Sequence, residues 1–187
     1  MTGSTEPTTD SRIAELIAKQ EIAEVVLRYC RGIDRRDEEL IRSAYHADAW
    51  EHHGAYRGRS IDDFVEYANG RSDLFQRVCH YICNQLIELD GDLAYSESYA
   101  IALHEARRDG EVSQTIFGGR YIDRMERREG RWAIADRVVV CDWSRVDPVT
   151  PWEREALFAQ AANDRSDLVF DRSVPGPGRR LREALTD

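Results

Sequence analysis

The chain has 187 residues, 42% of them hydrophobic, and a formal charge of −9 from 26 Lys and Arg against 35 Asp and Glu. That length suits one domain with a proper core, or one domain with extensions, and the acidic balance lacks the basic footprint expected of a nucleic-acid or anionic-membrane binder. No apolar run approaches the roughly 20 residues a membrane helix needs, and the start, "MTGSTEPTTDSR", lacks the basic and apolar segments of an export signal, so a cytoplasmic protein is expected.

Residues 1–10 read as a disordered start. From there "SRIAELIAKQEIAEVVLRYCRGID" has helical periodicity, with Leu16, Ala23, Leu27, Cys30 and Asp34 on one stripe that should face a core. A short second helix, "DEELIRSAY", follows, then "AWEHHGAYRGR" as a hairpin turning at Gly54, then a third helix, "SIDDFVEYANGRSDLF", with Ser60 as its N-cap. From Val78 onward the pattern changes to four strands, "VCHYICNQLIEL", "AYSESYAIALHEARR", "VSQTIFGGRYIDRMERR" and "RWAIADRVVVCDW". Asp90-Gly91, Asp109-Gly110 and Glu129-Gly130 separate them, each a hairpin signal. Helices first and a long antiparallel meander afterwards imply an α+β fold, three helices on one face of a curved sheet.

All five prolines lie outside residues 8–147, so one folded domain is expected over 11–147. The tail, 148–187, predicts a helix around Trp152 to Ala162 and an arm containing Pro175-Gly176-Pro177-Gly178. Its apolar residues, Trp152, Leu157, Phe158, Leu168, Val169 and Phe170, predict packing on its own domain or on a neighbouring subunit. The four cysteines, Cys30, Cys79, Cys83 and Cys141, read as reduced, buried side chains. On a strand Cys79 and Cys83 share a face as ordinary core residues, and their spacing is not a zinc signature. Gly118-Gly119, inside a strand, reads as a bulge that bends the sheet.

Asp34 is the anomaly, a carboxylate where an apolar residue belongs. In "VCHYICNQL" the alternation puts His80, Ile82, Asn84 and Leu86 on one face. A helix-borne Asp aimed at the sheet can hold one nitrogen of His80 and leave the other as a base, which gives Asp34 a reason to point inward. Tyr29 lies five residues before Asp34, about 140° round an ideal helix, so sharing a pocket with it predicts that the helix ends or bends near Gly32. Arg137 shares a strand face with Ala135, Val139 and Cys141; it either pairs with an Asp or Glu or stabilises a developing anion. Asn84 and Trp50 are candidate substrate-binding residues. Glu51, His52 and His53 hint at a metal, but His52 and His53 point to opposite strand faces and no third ligand stands at a diagnostic spacing; no metal site is expected. His46 and His104 have no evident partner in the sequence.

"YCRGID" and "CHYICNQL" resemble segments of the SnoaL-like division of the nuclear-transport-factor-like family, cone-shaped α+β barrels of the cystatin-like kind. Among its members the likeness is nearest to lindane dehydrochlorinase and bile-acid dehydratase, with a more distant one to scytalone dehydratase, and it covers about residues 11–147. The resemblance implies that Asp34 and His80 form a catalytic dyad. "WAIADR" is similar to the segment that carries a functional Arg in the dehydrochlorinase, which implies such a role for Arg137, and Tyr29 matches an active-site Tyr of the bile-acid dehydratase. The family likeness further implies homo-oligomers, trimers more often than dimers, and no metal or organic cofactor.

Together these readings predict a cofactor-independent lyase, of the dehydratase or dehydrohalogenase type, on a hydrophobic cyclic or steroid-like substrate. His80, Asp34, Tyr29 and Arg137 are its predicted catalytic residues. The same fold also serves isomerases, polyketide cyclases, oxygenase small subunits and non-catalytic binding proteins, and these are the alternatives.

Overall fold

The computed structural model describes residues 8–72, 74–108, 110–150 and 152–171. The chain runs α1 (Thr9–Asp34), α2 (Glu38–Ser43), β1 (Tyr45–His53), β2 (Tyr56–Gly58), α3 (Ile61–Ser72), then β3 (Arg77–Asp90), β4 (Leu93–Arg108), β5 (Glu111–Arg128) and β6 (Arg131–Pro148). This is the expected α+β architecture, with one six-stranded sheet in the order β2-β1-β6-β5-β4-β3. Every pairing is antiparallel except β1 with β6. The sheet does not close: β2 and β3 are its edges, and α1 packs across it against β3 and β6.

Helix α1 starts where Thr8 caps it, the Thr8 hydroxyl accepting from Ser11 N–H at 3.2 Å. Of the start expected to be disordered over 1–10, residues 1–7 lie outside the described ones, and Thr9 and Asp10 belong to α1. The buried stripe of α1 is rotated from the expected one. Ile22, Val25, Val26 and Tyr29 are at most 1% exposed, the i, i+3, i+4, i+7 signature, whereas Leu16 and Leu27 are 71% and 53% exposed. Cys30 and Asp34 sit at the margin of the buried arc rather than at its centre. Nor does the helix break near Gly32. It runs unbroken to Asp34, and the chain then reverses through Arg36, at φ 51°, with Asp37 N–H donating to Gly32 O at 2.8 Å. Gly32 instead lets α2 approach: a Cβ there would lie 2.7 Å from Ile41 Cγ1 and 2.8 Å from Ile41 N.

Tyr45, expected at the end of the second helix, begins β1, because α2 stops at Ser43. Ser60 caps α3, its Oγ accepting from Asp63 N–H at 3.2 Å, and Phe64 and Val65 turn inward. The β5–β6 turn has Glu129 at φ 52° and Gly130 at φ 77°, the backbone that a two-residue hairpin between right-twisted strands requires. Opposite Gly118-Gly119 the register slips by one, with Gly118 facing Trp143 and Gly119 facing Cys141, so the extra residue of the bulge is on β6. A side chain at Gly118 would strike the Trp143 indole.

A second bulge sits on β3. Ile82 pairs with Ala100 but Gln85 with Ser98, so Cys83 and Asn84 break the alternation. Asn84 and Leu86 are therefore exposed, and so is Cys83, while Gln85, Ile87 and Leu89 continue the inner face. The expectation of four buried cysteines fails likewise: Cys30 is buried, Cys79 half-buried, and Cys83 and Cys141 exposed.

The described tail forms no α-helix over 152–162, only two 3-10 turns, Glu155–Leu157 and Leu168–Phe170. It lies on its own domain through Arg77 to Glu155 (2.7 Å), Asn163 Nδ2 to Gln76 O (2.6 Å), Arg35 to Asp167 (3.2 Å) and Arg165 to Asp37 (2.9 Å). The arm around Pro175 lies outside the described residues. Among the described residues no helix is long and apolar enough to cross a membrane.

Candidate active site

Asp34, the last residue of α1, points at the start of β3 and is 8% exposed. Its Oδ2 accepts the His80 backbone N–H at 3.1 Å, and its Oδ1 lies 2.6 Å from His80 Nδ1. One carboxylate thus holds both the strand and the ring. Because an ionised carboxylate only accepts, the contact is made by an Nδ1 that carries its proton, and Nε2 is the nitrogen turned away from the carboxylate. No protein group among the described residues occupies Nε2. The inward carboxylate is satisfied by two hydrogen bonds, and it fixes the orientation of the imidazole.

This pair borders a cavity of about 500 Å³. Its apolar walls include Ile33, Phe64, Phe75, Val78, Phe117 and Val139. Its polar groups include, besides Asp34 and His80, Tyr29, His53, Tyr67, His104 and Thr115, with Arg36 and Asn163 also at its border. A largely apolar space with sparse converging polar groups is the usual form of a small-molecule site.

Tyr29 reaches this cavity because the whole C-terminal end of α1 is embedded beside it, not because the helix bends. Its ring centroid lies 6.5 Å from that of His80, edge to face. Burial pushes its phenol well above the ordinary range, against the pull of Arg137, so the hydroxyl stays protonated and can donate. Burial does the same to Tyr45 and Tyr121, and takes the Cys30 thiol up to about 12.

Arg137 takes the other of its two expected roles. It is fully buried and does not border the cavity. Its Nε and Nη2 donate to the two oxygens of Asp123 at 2.6 and 2.7 Å, and its guanidinium lies 4.4 Å from the Tyr29 ring centre and 4.3 Å from that of Tyr121. Burial opposes its charge, but Asp123, with Glu51 adding to it, outweighs that and keeps its proton tightly held. One edge of the guanidinium is spent on Asp123 and Nη1 donates to the Tyr45 hydroxyl at 3.4 Å, so a substrate anion in the cavity meets none of it. Arg137 fixes Tyr29 from behind.

Neither expected substrate-binding residue is at the cavity. Asn84 is turned out by the β3 bulge, and Trp50 lies on the outer face of β1, packed edge-on against His52 at 5.9 Å. The inner face of β1 belongs to Ala49, Glu51 and His53. His104, without an evident partner in the sequence, packs against Phe75 at 4.9 Å and meets His80 edge to face at 5.9 Å. Among the described residues no group of three or more His, Cys, Asp or Glu side chains is placed to hold a metal ion.

The model of the SnoaL-like domain family matches residues 14–138, two thirds of the chain and all the residues of both helix–strand contacts just described. No curated protein matches significantly. Solved structures do. A hexachlorocyclohexane dehydrochlorinase, LinA type 2, is 18% identical with a TM-score of 0.67, covering 80% of this chain and 98% of its own. A Novosphingobium aromaticivorans protein provisionally named scytalone dehydratase is 18% identical with a TM-score of 0.63, over 75% of this chain and 96% of its own. Rv3472 of Mycobacterium tuberculosis, of unknown function and solved as a single-substitution variant, is 27% identical with a TM-score of 0.60, over 68% and 77%. A similar structure from Nostoc punctiforme is described as cystatin-like.

Proposed function

The chain belongs to the SnoaL-like domain family, and from that premise we propose that it is a cofactor-independent lyase that eliminates across a carbon–carbon bond of a hydrophobic cyclic ketone. The observation that carries the reading is the Asp34–His80 pair set into a 500 Å³, mostly apolar cavity. His80 Nε2 removes a proton from the carbon beside the carbonyl. Asp34 holds the ring in the reactive tautomer and stabilises the imidazolium that forms. Tyr29 donates to the carbonyl oxygen, where negative charge develops, and a neutral buried phenol is suited to that. Arg137 acts only through Tyr29. General base catalysis supplies about 10²–10⁴-fold; orientation by the apolar walls and charge stabilisation by Tyr29 supply the remainder. The likeness to structures named as a dehydrochlorinase and a scytalone dehydratase supports elimination as the reaction class.

Wild type and His80→Ala, incubated with hydroxylated steroid and polyketide ketones and followed by mass spectrometry, test the reading. Loss of water or hydrogen halide in wild type alone is the expected result. An unchanged mass with a shifted retention time replaces elimination by isomerisation or cyclisation on the same base. No product from any ketone moves the assignment to a binding protein.

We also propose a homo-oligomer, a trimer before a dimer, assembled through the outer sheet face. Tyr81, Tyr95, Tyr99 and Trp143 are 40–53% exposed there, more aromatic surface than a sheet left in water usually carries. Light scattering on the purified chain gives the subunit number.

A further inference from the structure

The mechanism above leaves unused a second carboxylate and imidazole beside the same cavity. Glu51 and His53 lie two residues apart on the inner face of β1. Glu51 is 2% exposed, its Oε1 is 3.1 Å from His53 Nδ1, and its Oε2 is buried with no hydrogen-bond partner. A buried carboxylate is costly unless something repays it, and here Glu51 is close enough to Arg137 to support the guanidinium's charge. Glu51 meets His53 at β1 in the geometry in which Asp34 meets His80 at β3: it takes Nδ1 of a cavity-lining histidine and leaves Nε2 turned away from the carboxylate. No protein group among the described residues takes His53 Nε2.

The two imidazoles come from distant parts of the sheet, His53 on β1 and His80 on β3, with β6, β5 and β4 between. Phe64 lies 5.7 Å from the His53 ring and 6.4 Å from Tyr29, and Tyr29 lies 6.5 Å from His80. Both histidines border the cavity, so they bracket it from two walls, each backed by its own buried carboxylate.

Resting on the lyase reading, we propose that Glu51 and His53 form the general-acid pair of the same reaction, which makes the substrate a cyclic β-hydroxy ketone and the leaving group water. His80 Nε2 takes the proton from the carbon beside the carbonyl. That electron pair becomes the new C=C bond as the C–O bond breaks, and the departing oxygen takes the proton of the His53 imidazolium Nε2 and leaves as water. His80 ends protonated and His53 neutral; exchange with solvent returns one proton to His53 and removes one from His80. A hydroxyl needs this proton to depart, whereas a chloride does not.

The test compares 3-hydroxy-1-tetralone with 3-chloro-1-tetralone, both of which give 1-naphthol on elimination, using wild type, His53→Asn, Glu51→Gln and His80→Ala. His53→Asn should lower kcat on the hydroxy ketone by about 10²-fold and leave the chloro ketone within about 3-fold, while His80→Ala lowers both. Glu51→Gln, which keeps a group beside Nδ1 but removes its charge, should move in the same direction and stands in if His53→Asn fails to fold. Equal losses on both ketones, or none on the hydroxy ketone, overturn the proposal. Turnover of the chloro ketone alone by wild type also overturns it and spares the lyase reading. Calorimetric binding separates the two claims where neither ketone reacts: wild type should hold 3-hydroxy-1-tetralone roughly 10-fold tighter than 1-tetralone, and His53→Asn should erase that preference. A preference that is absent in wild type or retained in the variant overturns the assignment of His53, whatever becomes of the lyase.

Discussion

Asp34 Oδ1 and His80 Nδ1, 46 residues apart in sequence, stand 2.6 Å apart, and the other oxygen of the same carboxylate holds the His80 backbone at 3.1 Å. Helix α1 and strand β3 are thus locked together at the position where the His80 ring leaves the sheet. A ring fixed in both position and tautomer loses little entropy on meeting its substrate.

Asp34→Asn separates these two functions. An amide still accepts the His80 backbone N–H, but its NH₂ turned to Nδ1 forces the ring proton onto Nε2 and removes the base. Turnover should fall by about 10²–10⁴-fold with the melting temperature little changed. A variant with near-wild-type kcat on a substrate that wild type dehydrates removes Asp34 from the mechanism.

Arg137 and Asp123 test stability rather than chemistry. Both side chains are fully buried, so Arg137→Met leaves Asp123 charged and unpaired and should cost about 3–5 kcal/mol in urea unfolding. Adding Asp123→Leu to Arg137→Met should return much of that loss. A single substitution that costs less than about 1 kcal/mol means that Asp123 finds another partner.

Gly32→Ala improves the helix propensity of α1 by about 1 kcal/mol yet should destabilise the protein. The new Cβ sits 2.7 Å from Ile41 Cγ1 and 2.8 Å from backbone Ile41 N, which cannot swing aside. Overpacking of this kind costs typically about 1–3 kcal/mol, so a lower melting temperature is expected; a raised one shows that α2 shifts freely.

His46 gives a pH dependence with a definite sign. Burial lowers its proton affinity, and its Nε2–H donation to Glu126 O at 3.0 Å offsets that only in part. The folded pKa lies below the unfolded one, so the unfolded chain takes up a proton that the folded chain refuses. His46's share of stability is complete above the ordinary histidine value, about 6.5, and is lost as pH falls through the folded value. Wild type should lose more melting temperature than His46→Gln between about pH 7.5 and 5.5; parallel curves assign the loss to other groups.

The helices, the four long strands and their turns were legible because local signals coincide there: Ser60 caps α3, and Gly91 and Gly130 adopt the positive φ that their hairpins need. The dyad was legible because Asp34 breaks an apolar pattern. Other parts were hidden by packing. Strand β4 keeps Ala94, Ala100 and Ala102 inside and Tyr95 and Tyr99 outside, so hydrophobic size points to the wrong face. The β3 bulge moves His80 opposite Ala102 and turns Asn84 outward, and a one-residue slip reverses every later side chain. His104, two residues beyond Ala102, comes inward with that register, which only the structure supplies. The tail lacks a helix because its ties to the domain run through side chains such as Glu155, Asn163 and Asp167 rather than through a buried apolar stripe.

The place of β1 in the sheet bears on how the protein is made. Apart from the three-residue β2, its only strand neighbour is β6, where His52 aligns with Val138. Asp34, Glu51, His53 and His80 all emerge from the ribosome early, and α1 can meet β3 soon afterwards. The wall that carries His53 has no sheet to join until the last strand has been synthesised, three long strands later. Closing so long a loop is slow, so the cavity is walled only once β6 has been made, and a nascent chain halted before Arg131 holds both histidines without a cavity to put them in.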